Sequence, residues 1–243
     1  MKAAIVLLSG GLDSTTVAAH AVRAGYAVRG LAIRYGQRHA RELESARAVA
    51  AALGIPLHEA DASFYAHLAD YSALTSTADH ALPTGRPVEA MSDDIPITYV
   101  PLRNTFFVTI AAAALESWML AEIEQHGVDP ASLEPVVMVG ANAIDYSGYP
   151  DCRPEFYDAL TEVLRLGSKL GSAYGVSIRI EAPIIRMTKP EIVRHAIELD
   201  APLALTWSCY AGGDRPCGVC DSCELRAAGF AGAGIPDPAL AAV

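Results

Sequence analysis

The stretch that most limits what this chain can fold into lies at its start. An unbroken apolar run, Ala3–Leu8, stops at Ser9-Gly10-Gly11-Leu12-Asp13-Ser14-Thr15-Thr16, and a helical pattern over Ser14–Ala24 follows. A short apolar run without alternation reads as a strand covered on both faces, which belongs in a parallel sheet. Strand, glycine turn and helix in that order put main-chain N–H groups and the positive end of the helix dipole at the strand's carboxyl edge. Open α/β sheets bind their ligands at that edge. Gly10 and Gly11 allow close backbone approach, and Ser9, Ser14, Thr15 and Thr16 add hydroxyl donors. No Gly-Lys-Ser/Thr follows, so the loop is not a Walker A motif, and its glycines are not spaced Gly-x-Gly-x-x-Gly. The simpler alternative is a glycine turn with Asp13 or Ser14 as the helix N-cap.

The alternation continues along the chain. Apolar runs at Ala3–Leu8, Ala27–Ile33, Pro135–Val139 and Val176–Ile180 read as buried strands. Helical stretches fall at Ser14–Ala24, His39–Leu53, Asn104–Glu124, Pro154–Tyr174 and Lys189–Leu199. This pattern predicts an α/β fold, a Rossmann-like parallel sheet with helices on both faces. Asp61–Pro101 breaks the rhythm, and a connection of that length is expected to be a lid or binding loop. Thr105–Ile123 has roughly the length of a membrane span, but Glu116 and Glu122 interrupt it, so a buried helix is expected. The Ala3–Leu8 run is too short for a signal core, which predicts a cytoplasmic protein with no membrane partner.

The charge balance narrows the partners. Lys+Arg 18 against Asp+Glu 28 leaves a formal net charge of -10, a poor surface for nucleic acid. Lysine is confined to Lys2, Lys169 and Lys189. Lys189 follows Thr188 and precedes Pro190 and Glu191, a capping-box pattern that places it at a helix N-terminus, where anions are favoured. It is therefore the candidate phosphate contact; a solvated lysine beside a cap is the plainer reading.

Four of the five cysteines crowd the tail as Cys209, Cys217, Cys220 and Cys223. Two-residue gaps let neighbouring thiolates face one ion, and four thiolates close a tetrahedral structural zinc site. An iron–sulfur cluster or a redox dithiol is the rival. The chain thus divides into a nucleotide-binding α/β domain, 1–205, and a zinc-binding C-terminal segment and tail, 206–243. Cys152 lies apart and is expected to be a buried free thiol.

The string Ser9-Gly10-Gly11-Leu12-Asp13-Ser14 resembles the PP-loop of the N-type ATP pyrophosphatases, which split ATP to AMP and pyrophosphate. Together with YGQRHARELE (35–44), VPLRN (100–104), DYSGYPDCRPEF (145–156), MTKPEIV (187–193) and the cysteine spacing, it makes nearly the whole chain resemble the 7-cyano-7-deazaguanine synthases of queuosine biosynthesis. The resemblance implies a ligase that adenylates 7-carboxy-7-deazaguanine with ATP, forms the amide with ammonia, and activates the amide again to release the nitrile. It further implies that Leu8, Ser9, Gly10, Gly11, Leu12, Asp13, Ser14, Thr15 and Arg103 bind nucleotide, with Ser9, Asp13, Ser14 and Lys189 catalytic. Asn104, Asp145, Tyr146 and Asp151 would hold the deazaguanine, and Asp13 would orient a Mg2+ ion or a loop amide. A homodimer is implied as well. Plainer roles stand beside these: Arg103 paired with a surface acid, Tyr146 and Tyr149 as packing aromatics, Asp145 and Asp151 as caps.

Three departures from the family pattern are visible: Leu102 where glycine is usual, Arg34 where an acidic or small residue is usual, and a long Trp118–Pro135 segment. Relatives that thiolate tRNA or stop at the amide, and a zinc-bearing module without turnover, are the competing functions.

Overall fold

In the computed structural model, residues 1–36, 41–75, 80–85, 95–142 and 149–241 are described. Five strands, β1 Lys2–Leu7, β2 Ala27–Arg34, β3 Leu57–Asp61, β4 Glu134–Met138 and β5 Arg179–Glu181, form one sheet in the order β3-β2-β1-β4-β5. Every pairing is parallel. Helices cover both faces, and a short one, α3 (Tyr65–Leu68), follows β3. On one side, Ala4, Val6 and Leu8 pack with α1 (Leu12–Arg23), α2 (Arg41–Leu53), α7 (Lys189–Glu198) and α8 (Asp221–Ala233). On the other, Ala3 and Ile5 pack with α4 (Arg103–Glu124), α5 (Pro154–Gly167) and α6 (Lys169–Tyr174). Alternate residues of β1 therefore feed two cores, which is why its sequence is apolar without alternation.

β3 was not predicted. Its sequence, LHEAD, is polar because it is an edge strand with one neighbour and a half-exposed surface. Its charges are used laterally: Asp61 pairs with Arg34 of β2, and Glu59 takes both guanidinium arms of Arg47 of α2 at 2.7 Å. The long helix expected over Pro154–Tyr174 is two. Ser168 is extended (φ −103°, ψ 153°), ends α5, and caps α6 by accepting from the Gly171 N–H at 3.0 Å. A Cβ on Gly171 would lie 2.0 Å from the Arg165 carbonyl oxygen, so the break requires glycine there.

α4 is long and apolar enough to cross a bilayer by length and composition. It lies instead on the sheet through Val108, Ala111, Ala112, Leu115 and Met119, all buried. Its acids are satisfied locally: Glu116 accepts from the Leu170 N–H and Glu122 from the Trp118 indole.

The tail is more regular than its composition predicted. α8 packs along α7, and its Gly229 and Gly232 leave room for the stem of Lys189 and the ring of Pro190. Within the tail lies a buried ion pair. Arg226 grips both carboxylate oxygens of Asp237 at 2.6 and 2.9 Å and donates to the hydroxyls of Thr206 at 2.8 Å and Ser208 at 3.1 Å. Breaking one side of such a pair strands the other charge. Asp237→Ala should therefore cost about 3–5 kcal/mol in urea unfolding, whereas Glu59→Ala, at an exposed pair, should leave the midpoint unchanged.

Candidate functional site

The loop after β1 is shaped by one glycine. Gly10 has φ +84°, and a Cβ on it would meet the Ala46 nitrogen at 2.5 Å and the Glu42 carbonyl oxygen at 2.6 Å. The loop thus rests on the first turns of α2. Gly11 is the N-cap of α1, extended, with no side-chain cap. Neither Asp13 nor Ser14 is the N-cap that the plain-turn alternative expects. Ser14 instead donates to the Gly11 carbonyl at 3.3 Å, and its Oγ lies 3.1 Å from that of Ser9. An uncapped helix start beside two hydroxyls keeps the polarity that favours anions.

Across the loop stands Lys189. Thr188 and Glu191 form the expected capping box at the start of α7, with the Glu191 carboxylate accepting from the Thr188 N–H at 2.7 Å. Asn142, beyond β4, donates to the carbonyls of Ile184 and Met187 and holds the segment that leads into α7. Lys189 is buried, and its Nζ reaches Asp13 Oδ1 at 3.1 Å and Oδ2 at 2.9 Å.

These groups share one cavity of about 280 Å³ at the carboxyl ends of β1 and β4. Of the predicted residues, Ser9, Gly11, Leu12, Asp13, Ser14, Arg103, Asn104 and Lys189 line it. Leu8 belongs to the core, Gly10 turns toward α2, and Thr15 is buried in α1 with its hydroxyl unpartnered among the described residues. Asp151 is buried behind the wall: its carboxylate accepts from the Asn104 N–H at 3.2 Å, at the start of α4. Asp145 and Tyr146 lie outside the described residues, as does His39.

The wall opposite the loop is electrostatically loaded. Arg103 loses by burial but gains more from Tyr35, Tyr149, Asp151 and Tyr210, so its charge is held firmly. Burial pushes the Tyr149 phenol up to about 12, against its bond with Thr98 at 2.7 Å. Cys152 lines the cavity and accepts from Asn104 at 3.3 Å; burial, with Asp151 adding, pushes its thiol up to about 12, so it stays protonated at neutral pH. Burial pushes Glu42 up to about 7, with Arg103 opposing. Sequence reasoning passed over Glu42, Tyr35, Trp207, Tyr210 and Arg226, all of which line the cavity. The strap Thr206–Ser208 closes it, held where the Trp207 N–H donates to the Gly10 carbonyl at 2.9 Å. A larger void of about 730 Å³ lies against the far side of this strap and touches none of the loop residues.

The four tail cysteines converge. Their sulfurs lie within 4.8 Å of one another, with Cys209, Cys220 and Cys223 buried and Cys217 exposed. Cys217 Sγ and Cys223 Sγ are 4.0 Å apart, against the ~3.8 Å edge of a tetrahedron with metal–sulfur bonds of ~2.3 Å. Cys220 caps α8 and Cys223 sits in its first turn, where the dipole favours thiolates. The Ala211 and Cys217 N–H groups point at Cys209 Sγ. The set can hold one metal ion.

Leu102 precedes Arg103 with φ 53° and ψ 21°, left-handed backbone that suits glycine, and its side chain is exposed. Arg34, the second departure, turns to Asp61 at the rim of a side cavity at the end of β2. Relieving the strain at Leu102 loses little packing. Leu102→Gly should raise unfolding stability by up to about 1 kcal/mol, and β-branched Leu102→Val should lower it.

The chain matches the family model for queuosine biosynthesis protein QueC over residues 3–234. A 7-cyano-7-deazaguanine synthase from Thermoplasma acidophilum is 43% identical over 98% of this chain and 91% of its own length. Proteins of the same name from a Nostoc species and from Cupriavidus necator are 47% and 48% identical, covering 97% and 98% of this chain and 95% and 96% of theirs. Among solved structures, NMN synthetase from Francisella tularensis aligns with a TM-score of 0.40 at 14% identity, covering 89% of this chain and 71% of that one. With a parallel α/β sheet, a glycine loop facing a buried lysine, and four convergent cysteines already in place, the chain belongs to the QueC family of queuosine biosynthesis proteins.

Proposed function

We propose that this protein converts 7-carboxy-7-deazaguanine and ammonia to 7-cyano-7-deazaguanine, using ATP to activate first the acid and then the amide. What carries the reading is the convergence of the uncapped α1 start, Lys189 and Arg103 on one cavity in a chain of this family. In the first step a carboxylate oxygen attacks the α-phosphorus and pyrophosphate leaves. Loop amides, the hydroxyls of Ser9 and Ser14, and Lys189 stabilise the departing charge. Lys189 meets the phosphates by exchanging part of its contact with Asp13. Asp13 and the two serine hydroxyls are oxygen donors of the kind Mg2+ takes, the remaining ligands being phosphate and water. Bound there, the ion would neutralise phosphate charge.

Ammonia then displaces AMP to give the amide. A second adenylation, on the amide oxygen, makes that oxygen a leaving group, and loss of both N–H protons yields the nitrile. Asn104 at the cavity wall, with Asp145 and Tyr146 from the DYSGYPD segment, would take the base, while Asp151 holds Asn104 from behind the wall; a carboxylate suits the amidine edge of N–H donors on the base. tRNA thiolation needs a thiolate or persulfide near the loop, and Cys152 is held protonated. The remaining expectations, a cytoplasmic homodimer with structural zinc and no nucleic-acid or membrane partner, belong to the same proposal.

Incubated with ATP, ammonium and 7-carboxy-7-deazaguanine, the protein should release AMP and pyrophosphate and form the nitrile. Amide with AMP would mark an enzyme that stops one step earlier, and no AMP would remove the enzymatic reading. Lys189→Ala should lower kcat/KM by about 10²-fold or more with its circular dichroism unchanged. Elemental analysis should find zinc equimolar with chain; Cys220→Ser should lose it and unfold at lower temperature.

A further inference from the structure

We infer that Glu42 is a catalytic residue of the amide-forming step, accepting the proton that ammonium must lose for its nitrogen to join the adenylated carboxylate. The inference rests on the function proposed above. Among the described residues lining the cavity, Asp13 and Glu42 are the carboxylates. Asp13 is committed to Lys189 through both oxygens. Glu42 forms no hydrogen bond or ion pair with the described residues, and its electrostatic partner is Arg103 on the opposite wall. A part-buried carboxylate left open to a cavity is costly unless something is to meet it there.

Its location suits the step. Glu42 stands in the first turn of α2, the turn on which the loop rests at Gly10. It also borders the side cavity at the end of β2, beside Ser9 and Tyr35. It therefore lies between the phosphate loop and Arg103, the region an acyl-adenylate would cross. Near neutral pH ammonia is mostly ammonium, which has no lone pair to attack with. A carboxylate attracts the cation and then takes its proton. The first proton passes to Glu42 and on to solvent, the freed nitrogen pair forms the C–N bond, the bond from carbon to the bridging oxygen breaks with its electrons leaving on AMP, and the second proton, shed from the nitrogen as the amide forms, leaves to solvent. Burial holds this carboxyl near neutrality, where a general base works best. Among the described residues, the charged and titratable groups acting on it are Arg103 from α4 and Tyr35 after β2, and the Asp13–Lys189 pair lines the same cavity.

The test separates this step from adenylation. In the full-length Glu42→Gln protein, pyrophosphate–ATP exchange supported by 7-carboxy-7-deazaguanine without ammonia should match the wild type. Amide formation with ammonium chloride should fall by about 10²-fold or more. Hydroxamate formation with hydroxylamine, largely unprotonated at the same pH, should be retained. Glu42→Asp should recover part of the ammonia rate, and the acid limb of kcat/KM for ammonia should vanish in Glu42→Gln. Exchange falling in parallel would assign Glu42 to nucleotide or magnesium binding and overturn the inference. So would an unchanged ammonia rate, or equal losses with both nucleophiles. A wild type that shows no exchange would instead remove the proposed function itself.

Discussion

The contact between Lys189 and Asp13 is the one on which the site depends. It joins the first helix to the seventh, residues far apart in the chain, across the carboxyl edge of the sheet. A buried ammonium is tolerable only when paired, so everything around it serves the pairing. The capping box aims the α7 start, Asn142 braces the segment before it, and Gly229 lets α8 lie directly on the lysine stem. The same pair leaves the loop with a cation it does not carry in its own sequence. A Walker A loop brings its lysine with it; here the fold has to deliver one.

A second layer of the site comes from the tail. The Trp207 strap bonds to Gly10, while Arg226 of α8 ties Thr206 and Ser208 to Asp237. Two of the four cysteines, Cys220 and Cys223, sit at the start of that same helix, and the other two converge on them. A metal held there would stiffen the N-terminal turn of α8, and through Arg226 the segment that closes the cavity. The tail is thus continuous with the site in its hydrogen bonding, with Phe230 in the core that β1 and α1 share.

Most of the sheet was legible because its inner strands are buried on both faces and so must be apolar throughout. β3 was not, because an edge strand may be polar. The break at Ser168 was missed because Ser and Gly are tolerated inside a helical pattern, and the clash that forces glycine at 171 comes from the preceding turn. α8 was hidden by the glycines and cysteines in its sequence; each is there for a neighbour, Lys189, Pro190 or the metal set, and so lowers the local helical signal. Asn104 and Asp151 were seen as one patch, and the structure separates them into a wall residue and the group behind it.

By itself the sequence determined the layered α/β fold, the glycine loop at the end of its first strand, the cysteine set and the family. Those follow from local periodicity, glycine placement and spacing, all of which are short-range. Only the tertiary structure decided that Asp13 pairs with Lys189, that Arg226 anchors the closing strap, and that Glu42 faces the cavity with no hydrogen bond from the described residues. Such facts depend on which side chains of distant segments meet, and on how far burial strips water from them, and neither is written within any one stretch of chain.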